Sequence, residues 1–278
     1  MSRQKQKALV MRSAVWFSAA IAVLSLLFLV GYILIKGIPH LSAELFAWEY
    51  NSQNVSLMPA LVNTVLMTVL TLLFAVPVGI GAAIWLTEYA KRGNKFVGVV
   101  RITAETLTGI PSIVYGLFGA LFFVKTLGFG KSLLSGALTL SLMILPVIMR
   151  TTEEALLAVP DSYREGSFGL GAGKLRTVFQ IVLPSAIPGI LSGIILGIGR
   201  IVGESAALIF TAGTVAQAAG SIFDSARTLS VHMYIISGEG LYIDQTYATA
   251  VILLLLVIVI NLVSEAAAKH LGGKKKDE

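Results

Sequence analysis

Long apolar runs separated by short polar stretches make up most of this chain. A helix must place about 20 mainly apolar residues across the roughly 30 Å hydrocarbon core of a bilayer. Runs of about this length recur along the sequence. We therefore predict an all-α, polytopic membrane protein in which six transmembrane helices form one domain over residues 14–268. The six predicted spans are 14–35, 61–86, 106–124, 133–149, 184–210 and 248–263.

The positions of the cations predict how the chain is oriented. Its net charge is +6, and 16 of its 21 Lys and Arg residues lie in the N-terminus (1–13), the second and fourth loops, or a Lys-rich tail (269–278). Cytoplasmic segments of membrane proteins carry such an excess. Both termini are therefore predicted to be cytoplasmic, with the chain in the cell membrane. Because orientation explains the basic charge, membrane lipid is an expected partner and nucleic acid is not.

Residues able to carry out chemistry are few. Hydrophobic residues make up 56% and charged residues 13% of the chain, as is typical of membrane proteins. There is no Cys, which excludes disulfides and thiolate metal sites. The sequence contains neither a His-Glu-x-x-His zinc pattern nor a Gly-rich phosphate loop. We predict a non-catalytic chain that binds no metal and no cofactor, so that any ATP is hydrolysed by another subunit.

The segment 159–184 is polar although apolar runs lie on both sides of it. Pro160 suits the first turn of a helix, and Asp161 and Ser162 are residue types that accept hydrogen bonds from its free N–H groups. Several glycines weaken this helix, and Gly171 is expected to end it. The sequence thus predicts a short, marginal cytoplasmic helix that is stabilised by docking onto a partner.

The fifth run carries glycines at a spacing of four residues and two charged residues. At about 100° per residue, positions four apart lie on nearly the same face of a helix, and small residues there let two helices approach closely. Ionisable residues within a bilayer usually face the interior of a bundle. This stripe is therefore predicted to pack against another transmembrane helix. Its members are Gly189, Gly193, Gly197 and Gly203, with Arg200 and Glu204 as the charged residues.

Four-residue spacing also predicts ion pairs within helices. Arg200 and Glu204 are expected to pair and to place charge on a transport path; the alternative is a buried pair that only locks helices together. Arg101 and Glu105 have the same spacing and predict a pair at the membrane boundary. Arg150, at the end of the fourth span, either guards an exit from the path or extends its side chain to the interface.

The loop also carries motif residues at a long, fixed spacing. Glu165, Gly166 and Ser167 are followed after three residues by Gly171, and after nine more by IVLP at 181–184. This order resembles the EAA loop of bacterial ABC importer permeases, although Gly166 and Ser167 replace two alanines. In that family the loop forms a coupling helix, here 160–171, that fits a cleft on the ATPase subunit; the alternative is an ordinary connection between helices. The resemblance implies ATPase contacts at Asp161, Ser162, Tyr163, Arg164, Glu165 and Gly171.

Three further stretches resemble the PstA family of phosphate-specific transport (Pst) permeases: TGIPSIVYGLF (108–118), MRTTEEAL (149–156) and GRIVGESA (199–206). The resemblance implies the type I ABC importer permease fold and a sister permease subunit of the PstC type, near which the glycine stripe would lie. It also implies two ATPase subunits of the PstB type, which bind ATP and Mg²⁺. An extracytoplasmic phosphate-binding protein of the PstS type would complete the complex.

The substrate that this resemblance implies is inorganic phosphate, imported at the expense of ATP. Arginine offers several N–H donors suited to phosphate oxygens, and a nearby carboxylate can accept the proton that phosphate still carries near neutral pH. Arg200, Glu204 and Arg150 are therefore the predicted path residues. Two alternatives stay open: an importer for molybdate, sulfate or a phosphonate, and a channel or scaffold that is not coupled to ATP.

Overall fold

The computed structural model describes residues 3–91 and 93–273, with side-chain burial for 11–91 and 93–266. All regular elements in these ranges are helical, which confirms the all-α prediction. Three parts of the chain lie outside the described residues. They are residues 1–2, Arg92 in the second predicted loop, and residues 274–278 of the predicted Lys-rich tail. The helices in chain order are α1 (Arg3–Gly37), α2 (Met58–Ile84), α3 (Lys95–Thr108), α4 (Ser112–Gly119), α5 (Leu133–Leu157), α6 (Asp161–Gly169), α7 (Lys174–Thr177), α8 (Leu183–Gly203), α9 (Ala206–Thr211), α10 (Leu229–Glu239) and α11 (Ile243–Gly273).

Within the described residues, five helical segments are long and apolar enough to cross a membrane, and a bent pair of helices is a sixth candidate. These candidates overlap all six predicted spans and confirm a multi-pass membrane protein. They are Met11–His40, Met58–Tyr89, the pair Lys95–Thr108 with Ser112–Thr126, Leu133–Leu157, Lys174–Gly203 and Ile243–Ala266.

The third span, predicted over 106–124 with an interruption at Gly109–Pro111, is broken at that point and begins earlier than predicted, at Lys95. Helices α3 and α4 meet at 102°, with the break at Gly109–Pro111. Pro111 has no N–H to donate, and its ring disfavours the helical conformation for the residue before it. The hydroxyl of Tyr115 donates a hydrogen bond to the carbonyl of Leu107 (2.8 Å), which joins the two halves across the break.

The fifth span also differs from the prediction of 184–210. Its helix begins ten residues earlier, at Lys174, and a π-helical turn over Val178–Val182 leads into Pro184, which cannot make an ordinary helical hydrogen bond. The helix then ends at Gly203. Glu204 has extended backbone angles (φ −77°, ψ 128°), and the separate short helix α9 follows.

Helix α5 is the centre of the bundle. Its apolar residues are the most buried of any span, and they contact α2, α8, α3 and α4. By contrast, no residue in the most apolar stretch of α1 is buried within this chain, as expected for a helix that faces lipid or another subunit. The bundle therefore has an inner group of helices around α5 and an outer helix, α1, attached through α11.

Two glycines of the stripe, Gly189 and Gly193, pack against α5 of the same chain, which agrees with the predicted packing against another transmembrane helix, while its place near a sister subunit stays a prediction. An added Cβ at Gly189 would lie 2.6 Å from the Cβ of Ala155, and one at Gly193 would clash with Thr151. An added Cβ at Gly197 would make only ordinary contacts with isoleucines of α5. One at Gly203 would meet no atom within 4 Å among the described residues. Gly189 and Gly193 thus permit the close approach of α5 and α8.

Candidate functional site

Helix α6 lies at one end of the bundle, between the last turn of α5 and the first turn of α7. Pro160 occupies the position before its first residue with extended angles (φ −56°, ψ 139°), and no side chain caps the helix there. The predicted caps are therefore wrong, because Asp161 accepts a hydrogen bond from Arg164 instead (3.1 Å). Gly171 has a positive φ of 82°, which favours glycine and ends the segment as predicted.

The outer face of α6 is exposed and partly apolar. None of its nine residues is buried. Tyr163 and Phe168 are about half exposed, and Leu170, directly after the helix, is 91% exposed. Glu165 and Ser162 are exposed on the same helix. A short helix with this exposure, and with large apolar side chains facing outward, presents a surface suited to a protein partner.

Arg164 points the other way, into the bundle. Its side chain is 15% exposed, and it forms an ion pair with Glu88, at the end of the second span, that is 2.7 Å long. Its Nη1 donates to the carbonyl of Val159 (2.8 Å) and its Nη2 to that of Leu156 (2.9 Å). Nε also donates to Glu88 (3.2 Å). With the bond to Asp161, each of the five N–H donors of this guanidinium has an acceptor.

This arrangement corrects the prediction that Arg164 belongs to the exposed contact face. Leu156 and Val159 lie at the C-terminal end of α5, where carbonyl groups lack helical partners and carry partial negative charge. The hydroxyl groups of Ser167 and Thr177 form a second link (2.8 Å) from α6 to α7. Helix α6 is therefore held on the bundle by its inner side while its outer side stays free.

A group of ion pairs joins α3 and α5 near the same end of the molecule. The predicted pair of Arg101 and Glu105 does not form. Arg101 instead pairs with the buried Glu153, and Glu105 pairs with Arg150 at 3.3 Å. Arg150 also pairs with Glu154 on its own helix, at 3.3 Å. The sequence identified these charges but could not predict the pairing, which depends on how α3 lies against α5.

Arg200 and Glu204 do not form the predicted pair. Glu204 lies beyond the end of α8, and its carboxylate accepts a hydrogen bond from the backbone N–H of Ala207 (3.0 Å), at the start of α9. Its carbonyl accepts one from the hydroxyl of Ser230 (2.6 Å). Glu204 is thus buried, and it is bound to Ala207 and Ser230 instead of Arg200, because the helix ends one residue before it.

Arg200 is half-buried and has no ion-pair partner within 4.0 Å in the part of the chain that the structure describes. Its charge is close enough to act on the phenol of Tyr115, in the first turn of α4. Arg200 is therefore a half-buried guanidinium without a carboxylate partner among the described residues, and it places a positive charge within the bundle.

The opposite end of the bundle carries a buried charge that sequence reasoning missed. Arg227 is only 4% exposed, and its guanidinium carbon lies 4.4 Å from the centre of the Tyr50 ring. Its Nε and Nη2 are buried without a hydrogen-bond partner among the described residues. The ring of His232 meets Tyr50 edge to face, with 6.0 Å between the ring centres. Tyr50 is far in sequence from Arg227 and His232 and the three follow no motif, so no local signal could identify the group.

Burial and the nearby cation keep His232 neutral. Removal from water, and to a smaller extent the positive charge of Arg227, together lower the pKa of His232 from 6.5 to about 3. This pair is unsuited to hold a cation. Among the described residues, no group of three His, Asp or Glu side chains has the arrangement of a metal site.

A family model and several known proteins match this chain. Residues 75–277 match the model described as "Binding-protein-dependent transport system inner membrane component". The probable ABC transporter permease protein YqgI of Bacillus subtilis is 35% identical over 272 residues, which cover 91% of each chain. The phosphate transport system permease protein PstA of Mycobacterium leprae is 36% identical over 210 residues, covering 74% of this chain and 68% of that protein.

The fold has a counterpart among solved structures. A chain of the bacterial alginate ABC transporter, solved in complex with an alginate pentasaccharide-bound periplasmic protein, aligns with a TM-score of 0.66. The alignment covers 97% of this chain and 95% of that one, at 14% identity. A similarity at this identity concerns the fold, and it agrees with the predicted type I importer permease architecture.

Proposed function

Because this chain belongs to the family of binding-protein-dependent transport system inner membrane components, we propose that it is the permease subunit of an ATP-driven importer of inorganic phosphate. Membership makes it a membrane subunit of an ABC importer, and such subunits are not themselves catalytic. The phosphate assignment rests on the three stretches that resemble PstA permeases and on the named PstA protein among its relatives. Relatives and structural neighbours with other substrates make it a proposal.

Arg200 is the residue that we propose for contact with the passing anion. Its charge has no carboxylate partner among the described residues, and it acts electrostatically on the phenol of Tyr115 in the first turn of α4. The N-terminal ends of such half-helices carry partial positive charge and face anionic substrates in other transporters. An unpaired guanidinium and a helix N-terminus together favour an anion with several oxygens. Glu204 lies four residues after Arg200 and flanks the proposed contact with the anion. Arg150 lies nearer the α6 end, where we propose that it faces the exit from the transport path.

The α6 end is the cytoplasmic end in this proposal, with both termini on the same side, in agreement with the excess of Lys and Arg there. The exposed face of α6 would dock onto an ATPase subunit that binds ATP and Mg²⁺. A sister permease subunit, a second ATPase subunit and an extracytoplasmic phosphate-binding protein would complete the transporter. A passive channel or scaffold has no need of such a docking helix, which is why we favour the coupled importer.

The proposal is tested by uptake of labelled phosphate into proteoliposomes that contain the complete transporter and internal ATP. We expect uptake that requires ATP and the binding protein, with weak competition from sulfate and molybdate. Preferential uptake of either competitor would replace phosphate with another oxyanion. Uptake without ATP would identify a channel.

The role of Arg200 is tested in the same assay by Arg200→Gln. Arg176→Gln is a matched control, because Arg176 is an exposed cation whose hydrogen bond, among the described residues, is to Gln180 (2.9 Å). We expect Arg200→Gln to assemble and to lose most uptake, whereas the control retains it. Full uptake by Arg200→Gln would exclude this residue from the path.

A further inference from the structure

Arg164 lies where three helical elements meet at the α6 end. It belongs to α6, its guanidinium binds Glu88 at the end of the second span, and it binds the carbonyls of Leu156 and Val159 at the end of α5. We call this group of four residues the Arg164 junction. Glu88 is 8% exposed, so the ion pair is largely shielded from water.

We propose that Arg164 is a positioning residue whose junction transmits movement of α6 to the second and fourth spans, and so couples ATP hydrolysis to transport. The inference rests on the proposed function, in which an ATPase subunit docks onto α6. It concerns the inner side of that helix, whereas docking uses the outer side.

The chemistry of the guanidinium explains why an arginine suits this position. Its rigid, planar fork directs N–H groups toward several acceptors at once, whereas a lysine ammonium is a point charge on a flexible stem. In the Arg164 junction four of the five N–H donors bind Glu88 or the carbonyls at the end of α5, so α6 cannot shift relative to these groups without the loss of part-buried hydrogen bonds. Other links of α6 are fewer, such as the bond between Ser167 and Thr177.

A direct test replaces the junction with a removable link. Arg164→Cys with Glu88→Cys removes the guanidinium and its carboxylate, and because the chain has no Cys of its own the two thiols are unique in this subunit. The complete transporter is assembled with cysteine-free partner subunits. Uptake and ATP hydrolysis are then measured before and after treatment with a short bifunctional thiol reagent. The reported quantity is the number of phosphate ions imported per ATP hydrolysed.

We expect the double variant to bind the ATPase subunits and to lower this ratio by about tenfold, as is typical for the loss of a coupling contact. Cross-linking should return the number of phosphate ions imported per ATP to most of its parental value. A role in folding alone would reduce the amount of complex and both rates together, with the ratio unchanged. An unchanged ratio, or a lowered ratio that cross-linking fails to raise, would overturn the proposal.

Two further variants keep the test decisive if the double variant assembles poorly. Glu88→Gln keeps an oxygen acceptor but removes the charge, and Arg164→Lys keeps the charge but removes the fork. We expect both to lower the ratio, while the exposed control Arg176→Gln leaves it at the parent value. A parental ratio in both would overturn the proposal. Failure of the proposed function would appear differently, as absence of ATP-driven phosphate uptake by the parent complex.

Discussion

The two buried arginines at opposite ends of the bundle differ in how their charge is satisfied. Arg164 has an acceptor for each of its N–H donors, including the carboxylate of Glu88. Arg227 is more deeply buried, yet it contacts the face of Tyr50 and leaves two of its nitrogens without partners among the described residues. One cation is fixed by directed hydrogen bonds, and the other is covered by an aromatic ring.

This difference indicates different roles. Directed bonds fix the relative positions of the groups that they join, so the Arg164 junction specifies where α6 lies. A cation over a ring is attracted with little directional preference, and unpaired buried N–H groups are unfavourable. The Arg227 region therefore allows some adjustment between the loop that carries Tyr50 and the segment before α10. We expect the α6 end to move as a rigid unit and the α10 end to be more adaptable.

The largest expected effect contrasts Arg164→Met with Arg227→Met. Removing Arg164 leaves Glu88 buried without its partner, and we expect the free energy of unfolding to fall by about 3–5 kcal/mol. Removing Arg227 eliminates an unpaired buried charge, so its variant should stay within about 1 kcal/mol of the parent or be more stable. Thermal unfolding of the purified subunit in one detergent provides the comparison. Equal losses would show that the two cations are equally well satisfied.

Replacing Tyr50 by Leu tests what covers Arg227. We expect a loss of about 1–2 kcal/mol, because a desolvated cation loses its contact with the ring. In a double-mutant cycle, Tyr50→Leu should be much less harmful when Arg227→Met is already present. Purely additive effects would mean that the ring and the cation do not interact.

The pH dependence of stability should reveal His232. Its pKa in the folded protein is about 3, below the ordinary value of 6.5, so between these values the unfolded state binds a proton that the folded state does not. Stability therefore falls as the pH is lowered through 6.5 toward 3. For this group alone we expect the free energy of unfolding to be about 0.8 kcal/mol lower at pH 6 than at pH 8. His232→Gln should remove this contribution to the pH dependence of the free energy of unfolding. An unchanged pH dependence would contradict the proposed neutral, buried state of His232.

The smallest effect is expected for Arg176→Gln, which tests whether charge alone matters at the α6 end. Arg176 is exposed, and its hydrogen bond to Gln180 is on the protein surface. We expect stability to change by less than about 0.5 kcal/mol. A loss comparable to that of Arg164→Met would mean that the general basic charge, and not the Arg164 junction, stabilises this end.

The membrane spans and the helix α6 were predictable from sequence, because they depend on local properties. Apolar length predicts a span whatever its neighbours are, and a glycine such as Gly171 ends a helix by its own conformational freedom. The ends of the fifth span were not predictable. The π-helical turn before Pro184 and the extended conformation of Glu204 arise where the backbone adapts to packing and to hydrogen bonds with distant groups.

The partners of the charged residues were the least predictable part. A spacing of four suggested pairs for Arg101 and Arg200, but one of them finds a carboxylate on another helix and the other finds none among the described residues. Likewise, the sequence of α6 could not indicate that Arg164 turns inward, because Glu88 reaches it only through the packing of α2 against α5. Tertiary contacts between remote residues decide these cases.

The most direct measurement of the central claim is the distance between α6 and α2 during the ATP cycle. The chain has no Cys, so spin labels can be placed uniquely on exposed positions, at Val78 on α2 and at Leu175 on α7, which the bond between Ser167 and Thr177 links to α6. In the parent transporter we predict the same narrow distance distribution without nucleotide and with ATP, because the Arg164 junction keeps the two elements together. Arg164→Ala should broaden the distribution or shift it when ATP binds. A parent distance that changes with ATP as much as in Arg164→Ala would contradict the account.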